Sequence, residues 1–308
     1  MELVAGVDEV GRGPLAGPVV ACAVILPKDH SIKGLKDSKK LSKKRREALF
    51  PIIQEQAISI GIGESDVKSI DKHNIREASF IAMKNALEKL DPKPEKALID
   101  GEALRNYFIP NEGIVGGDNK IDSIKAASII AKVTRDNIMK EYSFIFPEYG
   151  FENNSGYGTK LHMEALKKYK ATPIHRKSFK PVARQMPSFN WLIENDKIEW
   201  IGMKLAALYL KKNGYKEIHI TEKHPVSTKI DIICSKHKKN HFINVSTSYL
   251  QKEGSLQKNN LNRSLKNFKI SLQIKDIENY DKKNSIFGQM YVELKKGGPI
   301  IKHIKNIF

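Results

Sequence analysis

A short apolar run that ends in two adjacent acids is the feature that most constrains this chain. Residues 3–8 read Leu-Val-Ala-Gly-Val-Asp, Glu9 follows, and residues 10–18 form a segment rich in glycine and proline. The run predicts a buried strand, and two carboxylates at its end repel each other unless a cation lies between them. Because hard divalent ions take oxygen ligands, the pattern favours a metal site, the alternative being a solvated acid pair in a loop.

Two later apolar runs end in the same way. One leads into Asp100 and the other, Ile-Val-Gly-Gly, leads into Asp118. If the strands are neighbours, these acids would join Asp8 and Glu9 at one edge of the sheet. Four carboxylates suit two Mg²⁺ or Mn²⁺ ions with a phosphodiester between them, and such a site needs no serine, cysteine or histidine nucleophile. Taken singly, Asp100 and Asp118 would each be interpreted as acids that merely end strands; together with Asp8 and Glu9 they favour the metal site.

The periodicity of the first part predicts an α/β fold in which helices cover a mixed sheet. Predicted strands cover residues 3–8, 19–26, 57–63, 96–101 and 114–118, and predicted helices cover 37–50, 75–90, 122–133 and 159–169. The first two strands are joined by a tight turn and are expected to form an antiparallel hairpin.

The segment after Pro187 has a different character. A helix is predicted over residues 200–213, strands over 216–220, 230–234 and 241–246, and a loop or short helix over 251–269. Residues 1–188 carry 31 Lys and Arg against 24 Asp and Glu, a net charge of +7, whereas residues 189–308 carry 22 against 11, a net charge of +11. We therefore expect two domains, 1–188 and 189–308.

The overall charge and composition narrow the classes of function. A net charge of +18 and a pI near 9.6 favour a polyanionic partner such as nucleic acid, unless the charge only reflects a lysine-rich proteome. Two distant cysteines give no disulfide framework. No apolar stretch of about 18 residues is present, so a membrane partner is not expected. The beginning of the chain does not read as a signal peptide, and a cytoplasmic location is expected.

Several long motifs occur in the order typical of bacterial ribonuclease HII. They lie at residues 6–19, 37–42, 99–101, 117–136, 156–159 and 172–179. The resemblance implies a ribonuclease H-like fold and hydrolysis of RNA in RNA–DNA hybrids with two Mn²⁺ or Mg²⁺ ions. It also implies incision on the 5′ side of ribonucleotides embedded in duplex DNA, with 3′-hydroxyl and 5′-phosphate products, in DNA replication and repair.

The resemblance also assigns roles to individual residues. The family's catalytic metal ligands fall on Asp8, Glu9, Asp100 and Asp118. The turn of Gly11, Arg12 and Gly13 corresponds to the element that senses the ribose 2′-hydroxyl, the group that separates RNA from DNA. Tyr157 corresponds to the aromatic residue that stacks on the neighbouring sugar.

Basic residues near these motifs are candidate phosphate contacts. They are Lys39, Lys40, Arg176 and Lys177. For each of them a solvated basic face is an alternative. His175 is expected to be a structural hydrogen-bonding residue rather than a general base.

Residues 189–308 weakly resemble the small YraN-type family of predicted endonucleases, which implies a smaller α/β, restriction-endonuclease-like domain. Met203, Asn244 and Ser246 replace two acids and the lysine of that family's metal site, and only Asp231 remains. One carboxylate holds a divalent ion poorly, so this domain is interpreted as catalytically inactive. The basic charge favours an auxiliary nucleic-acid-binding module; a protein-docking module and a stabilising extension are the alternatives.

Two other functions for the whole chain are alternatives to a ribonuclease. A non-catalytic nucleic-acid-binding protein would not need the complete set of four acids. A nuclease or resolvase specific for DNA would not need the turn at Gly11–Gly13 or Tyr157. The sequence predicts neither the oligomeric state nor protein partners.

Overall fold

The computed structural model describes residues 2–221, 230–249, 284–295 and 297–306. The chain divides into two compact units, one formed by Met1–Lys140 with Glu148–Met186 and the other by Glu141–Pro147 with Pro187–Phe308. The predicted element at 251–269 lies outside the described residues. Within the described ranges, none of the helices is both long enough and apolar enough to span a bilayer.

The first unit is built on a five-stranded mixed sheet. Its strands are β1 (Val4–Val10), β2 (Val19–Ile25), β3 (Ser59–Ser65), β4 (Lys96–Asp100) and β5 (Asn111–Ile114). Their order is β3-β2-β1-β4-β5. β2 is antiparallel to β1 and β3, whereas β1, β4 and β5 run parallel. The predicted hairpin and the predicted mixed sheet are confirmed, and the carboxyl ends of β1, β4 and β5 meet at one edge.

Helices cover both faces of this sheet. They are α1 (Lys43–Gln56), α2 (Val67–His73), α3 (Ile75–Glu88), α4 (Asp122–Ile145), α5 (Phe151–Asn154), α6 (Lys160–Tyr169) and α7 (Lys180–Ala183). The odd-numbered residues of β2 pack in a core with α3, whereas Cys22 and Val24 pack in a second core with α1 and α4. This separation follows from the alternation of side chains along a strand.

The same alternation places β1. Ala5 and Val7 belong to the core on the α3 side, so Gly6 and Asp8 lie on the α4 side. A Cβ at Gly6 would lie 2.3 Å from the Ser123 carbonyl carbon. Only glycine therefore lets α4 pack this closely against β1, and that contact sets the helix beside Asp8.

Two predicted elements differ from the observed ones because of local capping and turn chemistry. The predicted helix over 37–50 is split into a 3₁₀ turn at Ser38–Lys40, capped by Asp37, and α1, which begins after its own N-cap Ser42. The predicted strand over 114–118 ends at Ile114, since Gly116 adopts a left-handed conformation with φ of 64° and Asp118 lies in the 3₁₀ helix Gly117–Asn119.

The second unit contains another mixed sheet. Its strands are β6 (Lys216–Ile220), β7 (Ile232–Lys236), β8 (Lys239–Tyr249), β9 (Ser285–Leu294) and β10 (Ile300–Ile304), preceded by the helices α8 (Phe189–Glu194) and α9 (Ile198–Lys212). The order is β10-β9-β8-β7-β6, with β8 and β9 parallel and the other neighbours antiparallel. Residues 187–308 thus add an α/β region, in which α8, β9 and β10 were not predicted.

Candidate active site

Three carboxylates converge at the edge where the parallel strands end. Asp8 comes from β1, Asp100 is the last residue of β4, and Asp118 lies in the turn after β5. Each offers an oxygen within 4.8 Å of an oxygen of the other two. Asp8 and Asp118 are each only 5% exposed. A compact, buried set of oxygens of this kind fits a hard divalent cation.

The electrostatics of the three carboxylates lead to the same conclusion. Burial raises the pKa of Asp8 well above its usual value, and the charges of Glu9 and Asp100 raise it further. Burial and the neighbouring charge of Asp100 also raise the pKa of Asp118. Burial and the neighbouring negative charges thus disfavour the ionised forms of Asp8 and Asp118, and a bound cation would oppose both effects.

Glu9 points to the other face of the sheet. Consecutive strand residues alternate in direction, and Glu9 lines a cleft on the α3 side together with Asp100, Arg12 and Arg76. The Arg12 guanidinium lies 3.4 Å from the Glu9 carboxylate. Burial raises the pKa of Glu9, although Arg12 opposes that shift. Asp100 thus lies between Asp8 and Glu9, and the fourth predicted ligand approaches the site from a different side.

A buried serine pair supports the first carboxylate. Ser128 of α4 lies beside Asp8 and opposes the rise in its pKa, and the Ser128 and Ser38 hydroxyl oxygens are 2.8 Å apart. Ser38 belongs to the 3₁₀ turn that Asp37 caps by accepting a hydrogen bond from the Lys39 amide. The capped turn is therefore fixed against the acid site.

The two lysines of this turn lie beside Asp118. Lys39 places its ammonium 3.8 Å from the Asp118 carboxylate while its side chain stays 80% exposed. Partial burial lowers the pKa of Lys39, but the carboxylates of Asp37, Asp8, Asp118 and Asp100 outweigh it, so the pKa is raised. Lys40 donates a hydrogen bond to the side chain of Asn119. The exposed Lys39 ammonium, whose pKa the nearby carboxylates raise, therefore lies at the edge of the acid site with its charged group open to solvent.

Two fully buried arginines hold the glycine-rich turn. Arg176 donates to the carbonyl oxygens of Gly11 at 2.6 Å, Arg12 at 2.8 Å and Gly17 at 2.9 Å. Arg135 donates to those of Ala16, Pro18 and Ser155. A Cβ at Gly11, whose φ is +98°, would lie 2.2 Å from the Arg135 Nε atom. The glycine is therefore required both for the backbone conformation and for the approach of the arginine.

The position of Arg176 corrects the prediction that it contacts phosphate. Its side chain is 0% exposed, and burial together with the charge of Arg135 lowers its pKa to about 9. Since its donors are directed at backbone carbonyls, Arg176 shapes the turn from inside. Lys177, the next residue, is exposed.

Tyr157 lies across from the turn. Its side chain is 45% exposed, and a Cβ at Gly13 would lie 3.4 Å from its ring carbon Cε1. The Tyr157 amide donates to the Asn154 carbonyl oxygen at 2.9 Å. The structure thus brings the Tyr157 ring next to Gly13 of the turn, and we refer to Tyr157 and the Gly11–Gly13 turn as the two walls of the predicted ribonucleotide site.

The second unit has a different polar cluster, around Asp231. The Asp231 carboxylate accepts hydrogen bonds from the Asn244 side-chain amide at 2.9 Å and from the Val245 backbone amide at 2.7 Å. On the neighbouring strand, Gln289 donates to the Ser246 hydroxyl at 3.1 Å. Amide donors therefore stabilise the Asp231 carboxylate, and among the described residues this cluster is not one of the groups of three or more carboxylate, histidine or cysteine ligands that could hold a metal ion.

Sequence reasoning missed several residues that shape the site. Ser128 and Arg135 both lie in α4, Arg135 in the part of the helix beyond the predicted bounds 122–133. The feature of the sequence that could have indicated Arg135 is an arginine in a helix next to a glycine-rich turn whose carbonyl oxygens need donors. The buried neighbour of His175, His162, carries no signal in the sequence, because the two are brought together only by the fold.

Comparisons with known proteins identify relatives of the first unit. A family model described as Ribonuclease HII matches residues 5–182. Ribonuclease HII of Enterococcus faecalis is 56% identical over 180 residues, which cover 58% of this chain and 70% of that protein. Ribonuclease HII of Lactobacillus delbrueckii subsp. bulgaricus is 52% identical over 185 residues, with coverages of 60% and 72%.

Solved structures agree with these relatives. The crystal structure of ribonuclease H2 from Pyrococcus horikoshii aligns with a TM-score of 0.51 and 30% identity, and covers 59% of this chain and 96% of that one. The ribonuclease HII in a complex with PCNA from Archaeoglobus fulgidus aligns with a TM-score of 0.50 and 26% identity, with coverages of 57% and 95%. The first unit has the ribonuclease H-like fold, and residues 183–308 lie outside the family match.

Proposed function

This chain belongs to the ribonuclease HII family of metal-dependent endoribonucleases, and on that premise we propose that it incises duplex DNA on the 5′ side of an embedded ribonucleotide. The same activity would hydrolyse RNA in RNA–DNA hybrids and leave 3′-hydroxyl and 5′-phosphate ends. The observation that carries the proposal is the convergence of Asp8, Asp100 and Asp118 within 4.8 Å of one another.

The acid site would hold two divalent ions, Mg²⁺ or Mn²⁺. Asp8, Asp100 and Asp118 would bind them from the α4 side of the sheet, and Glu9 would contribute from the α3 side. When bound, such a pair of ions activates the attacking water and stabilises the leaving oxygen. The chain's own part is to fix the carboxylates, which it does by placing Asp8 against Ser128 and by directing the Asp118 amide at Asp100, 3.3 Å away.

Recognition of the ribonucleotide would come from the turn and Tyr157. The 2′-hydroxyl is the group that distinguishes RNA from DNA at one position, and polar backbone atoms can bond it directly. Because Arg176 holds the carbonyl oxygens of Gly11 and Arg12 from inside, the turn is rigid before substrate arrives. The exposed Tyr157 ring opposite Gly13 would stack on the neighbouring sugar, and Lys39 and Lys40 would contact phosphates.

We further propose that residues 1–188 form the catalytic domain and residues 189–308 an auxiliary nucleic-acid-binding domain. The net charge of +11 over 189–308 supports binding to a phosphate backbone. The amide-compensated Asp231 supports an inactive nuclease-like site in this region. A protein-docking module is the alternative for the same residues. Action on genomic DNA, in ribonucleotide removal during replication and repair, implies a cytoplasmic location.

The decisive experiment uses a labelled DNA duplex with one ribonucleotide, incubated with the full chain and Mg²⁺ or Mn²⁺. We expect a single cut 5′ of the ribonucleotide, with a 3′-hydroxyl end shown by polymerase extension. An all-DNA duplex of the same sequence should stay intact. Cleavage of the all-DNA duplex would instead identify a DNA nuclease, and binding to both duplexes without cleavage would identify a non-catalytic binding protein.

A further inference from the structure

Two buried histidines next to the predicted ribonucleotide site face each other. His162 of α6 is 0% exposed and His175 is 3% exposed. Their Nε2 atoms are 3.0 Å apart. Neither residue has a part in the chemistry proposed above, so their direct contact needs its own explanation.

The partners of the outer ring nitrogens determine where the protons lie. The Nδ1 atom of His162 is 2.9 Å from the Tyr157 carbonyl oxygen, which can only accept, so this Nδ1 must carry a proton. The Nδ1 atom of His175 lies 3.1 Å from the Thr172 backbone N–H, which can only donate, so this Nδ1 must be bare. The Thr172 hydroxyl oxygen lies 2.8 Å from the same Nδ1 atom.

The contact between the rings completes the assignment. A neutral His175 with a bare Nδ1 carries its proton on Nε2, and a neutral His162 protonated on Nδ1 has a bare Nε2 that can accept it. All four ring nitrogens are then satisfied without net charge. The rings of Tyr149 and Phe151 enclose the pair, with centroids 4.9 and 5.8 Å from that of His175. Burial lowers the pKa of both histidines, that of His175 to about 3.

The hydrogen bonds through the two histidines connect the two walls of the site. At one end, His162 donates to the Tyr157 carbonyl oxygen. At the other end lies His175, which forms an isolated bridge with Ala16, and Arg176, whose amide donates to the Leu15 carbonyl oxygen at 2.9 Å. The same Arg176 holds the turn at Gly11 and Arg12. A displacement of either histidine would therefore change the distance between the Tyr157 ring and the turn.

We propose that His162 and His175, ordered by Thr172, are positioning residues that set Tyr157 at the distance from the Gly11–Gly13 turn at which a ribonucleotide is recognised. This proposal rests on the proposed function, which supplies the ribonucleotide that Tyr157 and the turn would bind. It assigns the histidines no proton transfer to substrate.

Nitrogen NMR of the ¹⁵N-histidine-labelled full chain tests the proton order directly. At pH 7 we expect two neutral rings of opposite tautomer, with His162 protonated on Nδ1 and His175 on Nε2. Assignment uses the single variants His162→Asn and His175→Asn, each of which removes one signal. An imidazolium in either ring, or the same tautomer in both, would overturn the proposal whatever the enzyme cleaves.

A double-mutant cycle with Tyr157 tests the positioning role. His162→Leu removes the imidazole donor to the Tyr157 carbonyl oxygen, which then keeps only the Thr159 amide donor at 2.8 Å among its described partners. We expect kcat/KM on the single-ribonucleotide duplex to fall about 10- to 100-fold, the cost of a small misplacement. His162→Asn offers an amide donor near Nδ1 and should recover most of the activity. In a Tyr157→Ala background, His162→Leu should add less than about twofold, because both changes then act through the same ring.

The controls separate this proposal from the proposed function. Each variant should retain the increase in Tm that Mn²⁺ produces in the parent, which shows that the acid site is folded. Full additivity of the two substitutions, or no effect of His162→Leu, would contradict the positioning role alone. An inactive parent, or a Tyr157→Ala variant with parental kcat/KM, would instead contradict the function proposed for the site.

Discussion

The two units of this chain each place polar side chains on neighbouring strands of a mixed sheet, yet the resulting sites differ in how charge is balanced. In the first unit Asp8, Asp100 and Asp118 lie within 4.8 Å of one another, and burial with mutual repulsion raises the pKa of Asp8 and Asp118. In the second unit Asp231 accepts hydrogen bonds from Asn244 and Val245.

The difference shows that a carboxylate in a nuclease-like fold indicates a metal site only when the groups around it are considered as well. Amide donors can satisfy one buried carboxylate without a change of protonation. Three carboxylates in the same space need either protons or cations. The carboxylates of the first site would be stabilised by bound cations, whereas the Asp231 carboxylate is stabilised by amide donors.

The largest expected effect comes from removing one acid at each site. Asp8→Asn should lower the rate of ribonucleotide incision by at least about 10³-fold, the upper end of the cost of removing a single group that stabilises the transition state. Asp231→Asn, the matched control in the second unit, should leave the rate within about twofold. Single-turnover cleavage of the one-ribonucleotide duplex measures both, and equal reductions would remove the contrast between the sites.

The raised pKa of Asp8 also predicts how the stability of the first unit depends on pH. Folding raises the pKa of Asp8, so this carboxyl's contribution to the free energy of unfolding is complete below its unfolded pKa and is lost as pH rises through the folded value. A divalent ion should restore that stability, by about 2.7 kcal/mol at 100 times its Kd. The increase in Tm on adding Mn²⁺ should therefore grow with pH over this interval.

The matched variants decide whether the first unit's acids are the source of this effect. Asp8→Asn should raise the Tm of the metal-free protein near neutral pH and abolish most of the response to Mn²⁺. Asp231→Asn should keep the full response. Scanning calorimetry with and without Mn²⁺ at several pH values is the measurement, and a response that survives Asp8→Asn would place the ion elsewhere.

The sequence predicted the architecture of the first unit because its signals are local. Two apolar runs of strand length joined by a tight turn predicted the hairpin β1–β2, and the helix predicted over 122–133 begins where α4 begins, at Asp122; both are observed. The sequence predicted that Asp8, Asp100 and Asp118 would meet if their strands were neighbours, and the order and direction of β1, β4 and β5 supply that condition.

What the sequence could not predict depends on three-dimensional contacts. Glu9 diverges from Asp8 because the pleat directs consecutive side chains to opposite faces. Arg176 is interior because carbonyl oxygens of a turn more than 150 residues earlier in the chain surround it. The His162–His175 contact likewise needs α6 and the following loop to fold together, which no spacing of residues announces.

Removal of the second unit is expected to have a smaller effect, on binding rather than on chemistry. A chain lacking residues 189–308 should bind the duplex more weakly, with a salt slope lower by about 0.9 for each phosphate that these residues neutralise in the full chain. Its rate at saturating substrate should match that of the full chain. Fluorescence anisotropy at several salt concentrations and single-turnover rates test this. An absence of turnover at saturation would show that the second unit takes part in catalysis.

The smallest expected effect concerns Lys39, the exposed cation 3.8 Å from Asp118. If it contacts a substrate phosphate, Lys39→Ala should raise the Kd for duplex severalfold and lower the salt slope by about one. Lys44→Ala, at an exposed position in α1, makes the same change in net charge and should alter the slope less. Equal slopes for the two variants would show that Lys39 contributes only general basicity. A fall in kcat confined to Lys39→Ala would mean that this ammonium also acts on the reacting phosphate. We propose no corresponding role for any residue of the Asp231 cluster in the second unit.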